Sequence, residues 1–275
     1  MLAIQAPLRL LAAALLAVTA SAATAQAPAA AAAKPAAAPA APVAPGVNPA
    51  LAPILAEIEA NWAIRDQPGK MDRDLELLKK AEAVAPNDYE FLWRMARHYY
   101  WLADDPSISD QEKARLGKLT WEWSDKANQA NPARVEGWFY GSAGVGMYSL
   151  GISIVKALLD GMESKYTDRL EKSQAADPSY YGYGAYVSWG RYYYELPWPK
   201  YDAGKSEINF QIALGKFPKN LRAKVYLAEL YAKLNRPDKA RKLLDAVLAA
   251  TPGEYDAPEE RRAQGMARAV LAQMK

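Results

Sequence analysis

The stretch "LRAKVYLAELYAKLNRPDKARKLLDAVLAATP", residues 221–252, decides the fold. Leu227, Ala228 and Tyr231, and then Ala240, Leu244 and Val247, recur at helical spacing. Such spacing gathers each set on one face of an α-helix. Pro252 then stops the second helix, because an imide nitrogen cannot continue the hydrogen-bond ladder. The stretch reads as two antiparallel helices.

The same ending recurs upstream: "LLKKAEAVAP" to Pro86, "EWSDKANQANP" to Pro132, "DRLEKSQAADP" to Pro178 and "NFQIALGKFP" to Pro218. Five positions before each proline, Pro252 included, stands a small residue: Ala81, Ala127, Ser173, Ala213 and Val247. Small side chains there let paired helices approach, and large apolar ones fill the space between pairs. The intervals between prolines are 46, 46, 40 and 34 residues, and 34 is the tetratricopeptide period. The longer intervals read as the same unit with insertions, "ADDPSISDQE" in one and "ELPWPKYD" in another. Ser109 and Glu112 form a capping-box pattern that predicts a helix start. A first, degenerate unit begins near Ala52, and the amphipathic tail from Ala257 places Met266, Val270, Leu271 and Met274 on one side as a cap. The expected fold is all-α: tetratricopeptide-like helical-hairpin repeats forming a right-handed solenoid, about five helix pairs plus a C-terminal capping helix.

Composition narrows the function. The 275 residues are 51% hydrophobic and 24% charged, with a net charge of +3 spread over interspersed signs. No basic stripe points to nucleic acid. Without cysteine there is no disulfide, thiol nucleophile or Cys-ligated metal, and the one histidine, His98, makes a metal cluster or a cofactor site unexpected. His98 reads as an isolated surface or groove residue. The adjacent pairs Asp104–Asp105 and Glu259–Glu260 make poor acid–base couples and read as solvated caps. No constellation supports an enzyme.

The N-terminus has Arg9, then the apolar run "LLAAALLAVTA" and the small-residue site "ATA". This is the layout of a signal peptide over residues 1–25, so the chain is expected to be exported, to a periplasm in a Gram-negative source, or anchored if uncleaved. Residues 26–50 are an Ala/Pro-rich linker, read as an extended spacer, and residues 51–275 as the repeat domain. The uncharged 19-residue run "GWFYGSAGVGMYSLGISIV" is weighed between a membrane span and a buried central helix. Its polar residues, and the repeat spacing that passes through it, favour the latter. Gly137 and Gly141, with Gly144 further on, would let a second helix come close.

The glycine-rich helix "EGWFYGSAGVGMYSLGISI", the segment "DRLEKSQAADPSYYGYGAYVSWGRYYYELPWP" and the closing repeat together resemble the T component associated with tripartite ATP-independent periplasmic (TRAP) transporters. The resemblance runs over about residues 75–250, most specifically in "GRYYYELPWP". It implies an exported helical-repeat protein in a homo-oligomeric, trimer-like assembly with a central channel. It further implies partnership with the transporter's substrate-binding component and a hydrophobic or organic-acid ligand. Family members are often tethered through a lipidated cysteine, which this chain lacks.

Nine of the 21 residues from Ser179 to Pro199 are Tyr or Trp. On this frame the run is the first helix of the fourth unit. Tyr181, Ala185, Ser188 and Tyr192 are expected to face its partner helix, and Gly182, Tyr186, Trp189 and Tyr193 the concave side. Either protein covers both faces, or the concave one lines a ligand groove. The candidate groove residues are Trp93, Arg97, Tyr100, Trp101, Tyr186, Trp189, Arg191 and Tyr193, an aromatic lining of the kind pockets favour. Arg97 and Arg191 could clasp a carboxylate or pair with a neighbouring acid. Trp198, between two prolines, is a candidate partner contact. The alternative function is a repeat scaffold for envelope protein assembly, with no small ligand.

Overall fold

The structure, a computed structural model, describes residues 48–274. The predicted signal segment, and all but the last three residues of the predicted linker, lie outside them. Among the described residues are twelve helices: α1 (Ala52–Trp62), α2 (Lys70–Val84), α3 (Tyr89–Ala103), α4 (Asp110–Ala130), α5 (Val135–Ile152), α6 (Ile154–Leu159), α7 (Met162–Ala176), α8 (Tyr180–Glu195), α9 (Ala203–Lys216), α10 (Leu221–Lys233), α11 (Pro237–Ala249) and α12 (Ala257–Gln273).

All five ruler prolines stand just past a helix: α2, α4, α7, α9 and α11. At the first four corners the residue before the proline donates the closing hydrogen bond. Its acceptor is the carbonyl of the small residue, at 2.9 Å to Ala81, 2.9 Å to Ala127, 3.1 Å to Ser173 and 2.8 Å to Ala213. The side chains of Ala81, Ala127, Ser173, Ala213 and Val247 are all buried. The pattern is thus one device used five times: a proline ends the helix, and a small residue lets its neighbour in. The pairs are α1/α2, α3/α4, α5/α7, α8/α9 and α10/α11, stacked in order, with α12 closing the end on α10 and α11. The predicted cap of α4 is present, Glu112 N–H donating to Ser109 Oγ at 3.2 Å. The short α6 is an insertion inside the third pair.

No helix among the described residues is long and apolar enough to cross a membrane. The uncharged run forms most of α5 and the start of α6, and the glycines of α5 explain its composition. A Cβ on Gly144 would sit 2.5 Å from the backbone N of Trp121, and one on Gly151 2.5 Å from that of Ala114. Gly117 of α4 meets the backbone of α5 in return. Backbone therefore lies on backbone, and a side chain at Gly144 or Gly151 would have to push the helices apart.

The ring-rich α8 departs from a plain helix. Tyr181, Gly182 and Tyr183 have φ of 52°, 62° and 63°. A left-handed conformation costs a non-glycine residue about 1–2 kcal/mol, so the surroundings must hold this turn. Phe139 packs on the rings of Tyr180 and Tyr181, 5.2 Å from each. Asn220 caps α10 by accepting from Ala223 N–H at 2.9 Å and donates its amide to the Gly182 carbonyl at 2.8 Å.

The turn also re-aims the helix that follows. Its partner α9 packs on Gly190, where a Cβ would be 2.5 Å from the Phe210 ring and where Ser206 Oγ donates to the carbonyl at 2.8 Å. Ser188 and Tyr192 meet α7 instead: Tyr166 OH donates to the Ser188 carbonyl at 3.1 Å and its ring stacks on Tyr192 at 5.6 Å. The two expected faces are therefore corrected. Glycines, not rings, mark where the partner helix approaches.

Candidate functional site

The stack bounds a half-open cavity of 310 Å³. Tyr100, Phe139 and Tyr181 line it from the second, third and fourth pairs, and Arg222, Tyr226 and Met266 from the last pair and α12. Burial pushes the phenols of Tyr100 and Tyr181 well above their ordinary range, and raises Tyr226 as well. They are uncharged hydroxyls at any physiological pH.

Most of the charges on the wall are paired with one another. Arg222 grips Asp104 at 2.7 and 3.0 Å and Glu259 at 2.5 and 3.0 Å. Burial raises the Asp104 carboxyl, and the Arg222 and Arg262 guanidiniums more than reverse that, so it stays ionised. Arg191 pairs with Glu195 at 2.5 Å and with Glu229. Lys113 donates to the Ala103 carbonyl at 3.1 Å, Lys219 pairs with Glu254 at 2.9 Å, and Glu260 accepts from Gly253 N–H at 2.6 Å. The wall offers a guest rings and hydroxyls, and its only charges without an ion pair are Lys113 and Glu260, each held by a backbone group.

A wider groove of 1070 Å³, bounded by Trp101, Leu102, Met71, Val270 and Met274, adjoins the cavity along Pro106, Arg191, Glu229 and Met266. It runs along a seam where the ends of the stack meet. Arg262 of α12 donates to Asp104 Oδ2 at 3.1 Å and to the Trp101 carbonyl at 3.0 Å. Arg65 reaches Asp256 at 2.7 Å, and Arg261 grips Asp66 at 2.5 and 2.9 Å.

Into this seam runs an alternating stack of cations and indoles. The Arg262 guanidinium lies 3.3 Å from the centre of the Trp101 ring, with Arg65 at 4.2 Å. Arg65 also lies 4.5 Å from Trp62, and Arg97 4.1 Å from Trp62 and 4.8 Å from Trp93. Arg94 closes the series at 4.1 Å from Trp93. Each such contact is worth about 0.5–2 kcal/mol, more where water is excluded.

This stack redistributes the sequence-predicted site. Tyr100 lines the cavity, Trp101 lines the groove, and Arg191 lines both. Trp93 and Arg97 line neither. Trp93 lies parallel to Tyr140 with ring centres 6.3 Å apart, and Arg97 holds Glu59 with two bonds of 3.0 Å. Arg97 and Arg191 are thus bound to acids of the chain itself. Tyr186, Trp189 and Tyr193 also lie off the cavity. Tyr186 packs on the core around Phe210, Trp189 donates to Gln174 at 2.9 Å, and Tyr193 stacks on Trp189 at 6.1 Å. On α8 the cavity wall is Tyr181, Gly184, Val187, Ser188 and the expected Arg191. Trp198 stands out into solvent, 89% exposed.

Three further expectations are corrected. His98 is buried, its Nδ1 2.8 Å from Asp74 Oδ2, because an inward-facing polar ring needs a partner. Asp104 is a largely covered hub, its side chain 9% exposed, rather than a solvated cap, although Asp105 does hold its own turn through Ser107. Glu259 and Glu260 are buried too, on Arg222 and the Gly253 N–H. Arg222, Tyr226 and Glu229 were missed. Their spacing of four and three on one face of α10 was the available signal. Among the described residues no group of three or more acids or histidines could hold a metal.

Residues 209–273 match the tetratricopeptide repeat family. The structure is similar to that of a thermophilic tetratricopeptide repeat protein of Thermus thermophilus, at 19% identity over 80% of this chain and 98% of the other, with a TM-score of 0.60. No curated protein matches the chain. The fold of the described residues is an all-α, tetratricopeptide-like solenoid of helical hairpins, an architecture suited to holding other molecules.

Proposed function

We propose that the chain is an exported helical-repeat binding protein whose interior takes a hydrophobic small molecule, as an accessory to a TRAP-type solute uptake system. The carrying observation is the half-open cavity walled by rings, with both lining guanidiniums already paired with acids of the chain. That wall favours an uncharged apolar guest over an organic acid. A carboxylate would find the guanidiniums of Arg191 and Arg222 already paired and only Lys113 without an acid partner, and burying a poorly paired charge is costly. The resemblance of the aromatic and glycine-rich helices to the T component supplies the transporter part of the reading, with its substrate-binding subunit as partner and a trimer-like assembly.

Titration with a neutral apolar fluorophore such as Nile red tests the ligand part. We expect saturable binding that Val187→Trp, which fills the cavity, abolishes. Equal binding by both proteins, or none by either, would remove it. Co-elution with a TRAP substrate-binding protein, and a native mass spectrum of the assembly, test the rest.

One observation favours the second reading, a scaffold for envelope proteins without a small ligand. A large apolar ring held in solvent by flanking prolines, as Trp198 is, suits a protein contact. Loss of a captured partner on Trp198→Ala, with no Nile red binding, would decide for it.

A further inference from the structure

Two large hydrophobic cores stabilise the stack, with a small third one around Val145, Ala157 and Met162. One large core gathers residues of α1 to α5 around Leu78, Phe91, Met95 and Phe139, and the other those of α8 to α12 around Phe210, Leu230 and Leu244. The chain passes from one to the other within a few residues. Tyr180 and Tyr181 rest on the first core, Tyr183 and Tyr186 on the second. That crossing is the left-handed turn of Tyr181, Gly182 and Tyr183. Consecutive residues in this conformation, two of them tyrosines, store strain that a change of backbone angle would release.

Beside the turn α8 rests on α7, through Tyr166 with Ser188 and Tyr192 and through Trp189 with Gln174, a contact that must slide if the turn moves. The halves meet again at the seam, by a different kind of contact. Close helix packing joins α3 only to α2, α4 and α5, and α12 only to α10 and α11. What crosses the seam is side chain: Asp104 with Arg222 and Arg262, Arg65 with Asp256, Asp66 with Arg261, and Trp101 between two guanidiniums. Charged groups regain hydration when they part, so separating them breaks no apolar core. The cavity is walled by both halves.

We propose that the molecule is a hinged clasp. The seam opens while both cores stay folded, the backbone turns at Tyr181–Tyr183, and the opening exposes the cavity wall. Hinges of this kind are a few residues at element ends that absorb a large change of dihedral angle. The proposal does not depend on the ligand reading, since the seam opens or stays shut whether or not a guest exists.

The chain has no cysteine, so paired spin labels report only where they are placed. One pair, Gln67→Cys with Arg268→Cys, spans the seam. A control pair, Lys239→Cys with Arg268→Cys, lies within the second half. We expect the seam distance to lengthen at a lower urea concentration than the control distance or the helical circular dichroism changes. A single transition common to all three would overturn the clasp. Asp104→Asn in the labelled protein is expected to raise the open fraction roughly tenfold and to lower the first midpoint alone. Asp168→Asn, on an exposed pair away from the seam, is expected to do neither. If Asp104→Asn moves every midpoint together, or leaves the seam distance unchanged, the clasp is excluded.

Discussion

Gly144 and Gly215 show how far one residue type depends on its neighbours. Both lie inside helices, but a Cβ on Gly144 would strike backbone of α4 whereas one on Gly215 meets nothing within 4 Å. Gly144→Ala is expected to cost about 1–3 kcal/mol by overpacking, and Gly215→Ala to gain about 0.5–1 kcal/mol from the unfolded chain's lost freedom. Urea denaturation of the two variants checks the signs. A buried acid makes the second case at this scale. Burial would raise the Glu59 carboxyl, yet the guanidiniums of Arg97 and Arg94 hold it at about 2, below the ordinary 4.5. A depressed folded pKa means stability fully present above the unfolded value and lost as pH falls from about 4.5 toward 2. The loss is on the order of 3 kcal/mol. Stability measured against pH should fall through this window, and Glu59→Gln, already weaker at pH 7, should flatten that limb.

At the scale of the element, each helix is bounded by chemistry visible in its own few residues. Ser109 holds the first turn of α4, and Ser109→Ala should cost about 1 kcal/mol, read as a lower urea midpoint with an unchanged slope. The α8 helix is the exception. Nothing local explains a left-handed turn at two tyrosines. Its supports come from other elements, Phe139 of α5 and Asn220 at the head of α10. For that reason its faces could not be read from a helical wheel, and of the four α8 residues expected at a groove only Arg191 lines the cavity.

For the whole molecule, α12 has two tasks. It covers the outer face of the last pair, Gln264 donating to the carbonyls at the end of α11 at 3.2 and 2.8 Å, and it carries Arg261 and Arg262 to the seam. A terminal repeat without a cap exposes an apolar face. Removing residues 253–275 should therefore lower Tm by at least about 10 °C and promote aggregation, followed by calorimetry and light scattering. A drop confined to the seam contacts, with the second core intact, would show that its capping task is minor.

What could be read from the amino-acid order was everything set by short-range rules: five proline corners, the small residue before each, the Ser109 cap, and the glycines of α5. Helix periodicity and the lack of a proline N–H act within a few residues, so they are written locally. The cavity, the seam, the cover over Asp104 and the burial of Glu259 and His98 follow a different logic. Asp104 and Arg222 lie 118 positions apart in the chain, and Arg65 and Asp256 191 apart. An acid looks the same in sequence whether water or a guanidinium solvates it. Which of these occurs is settled only when the stack curves round and brings its two ends together.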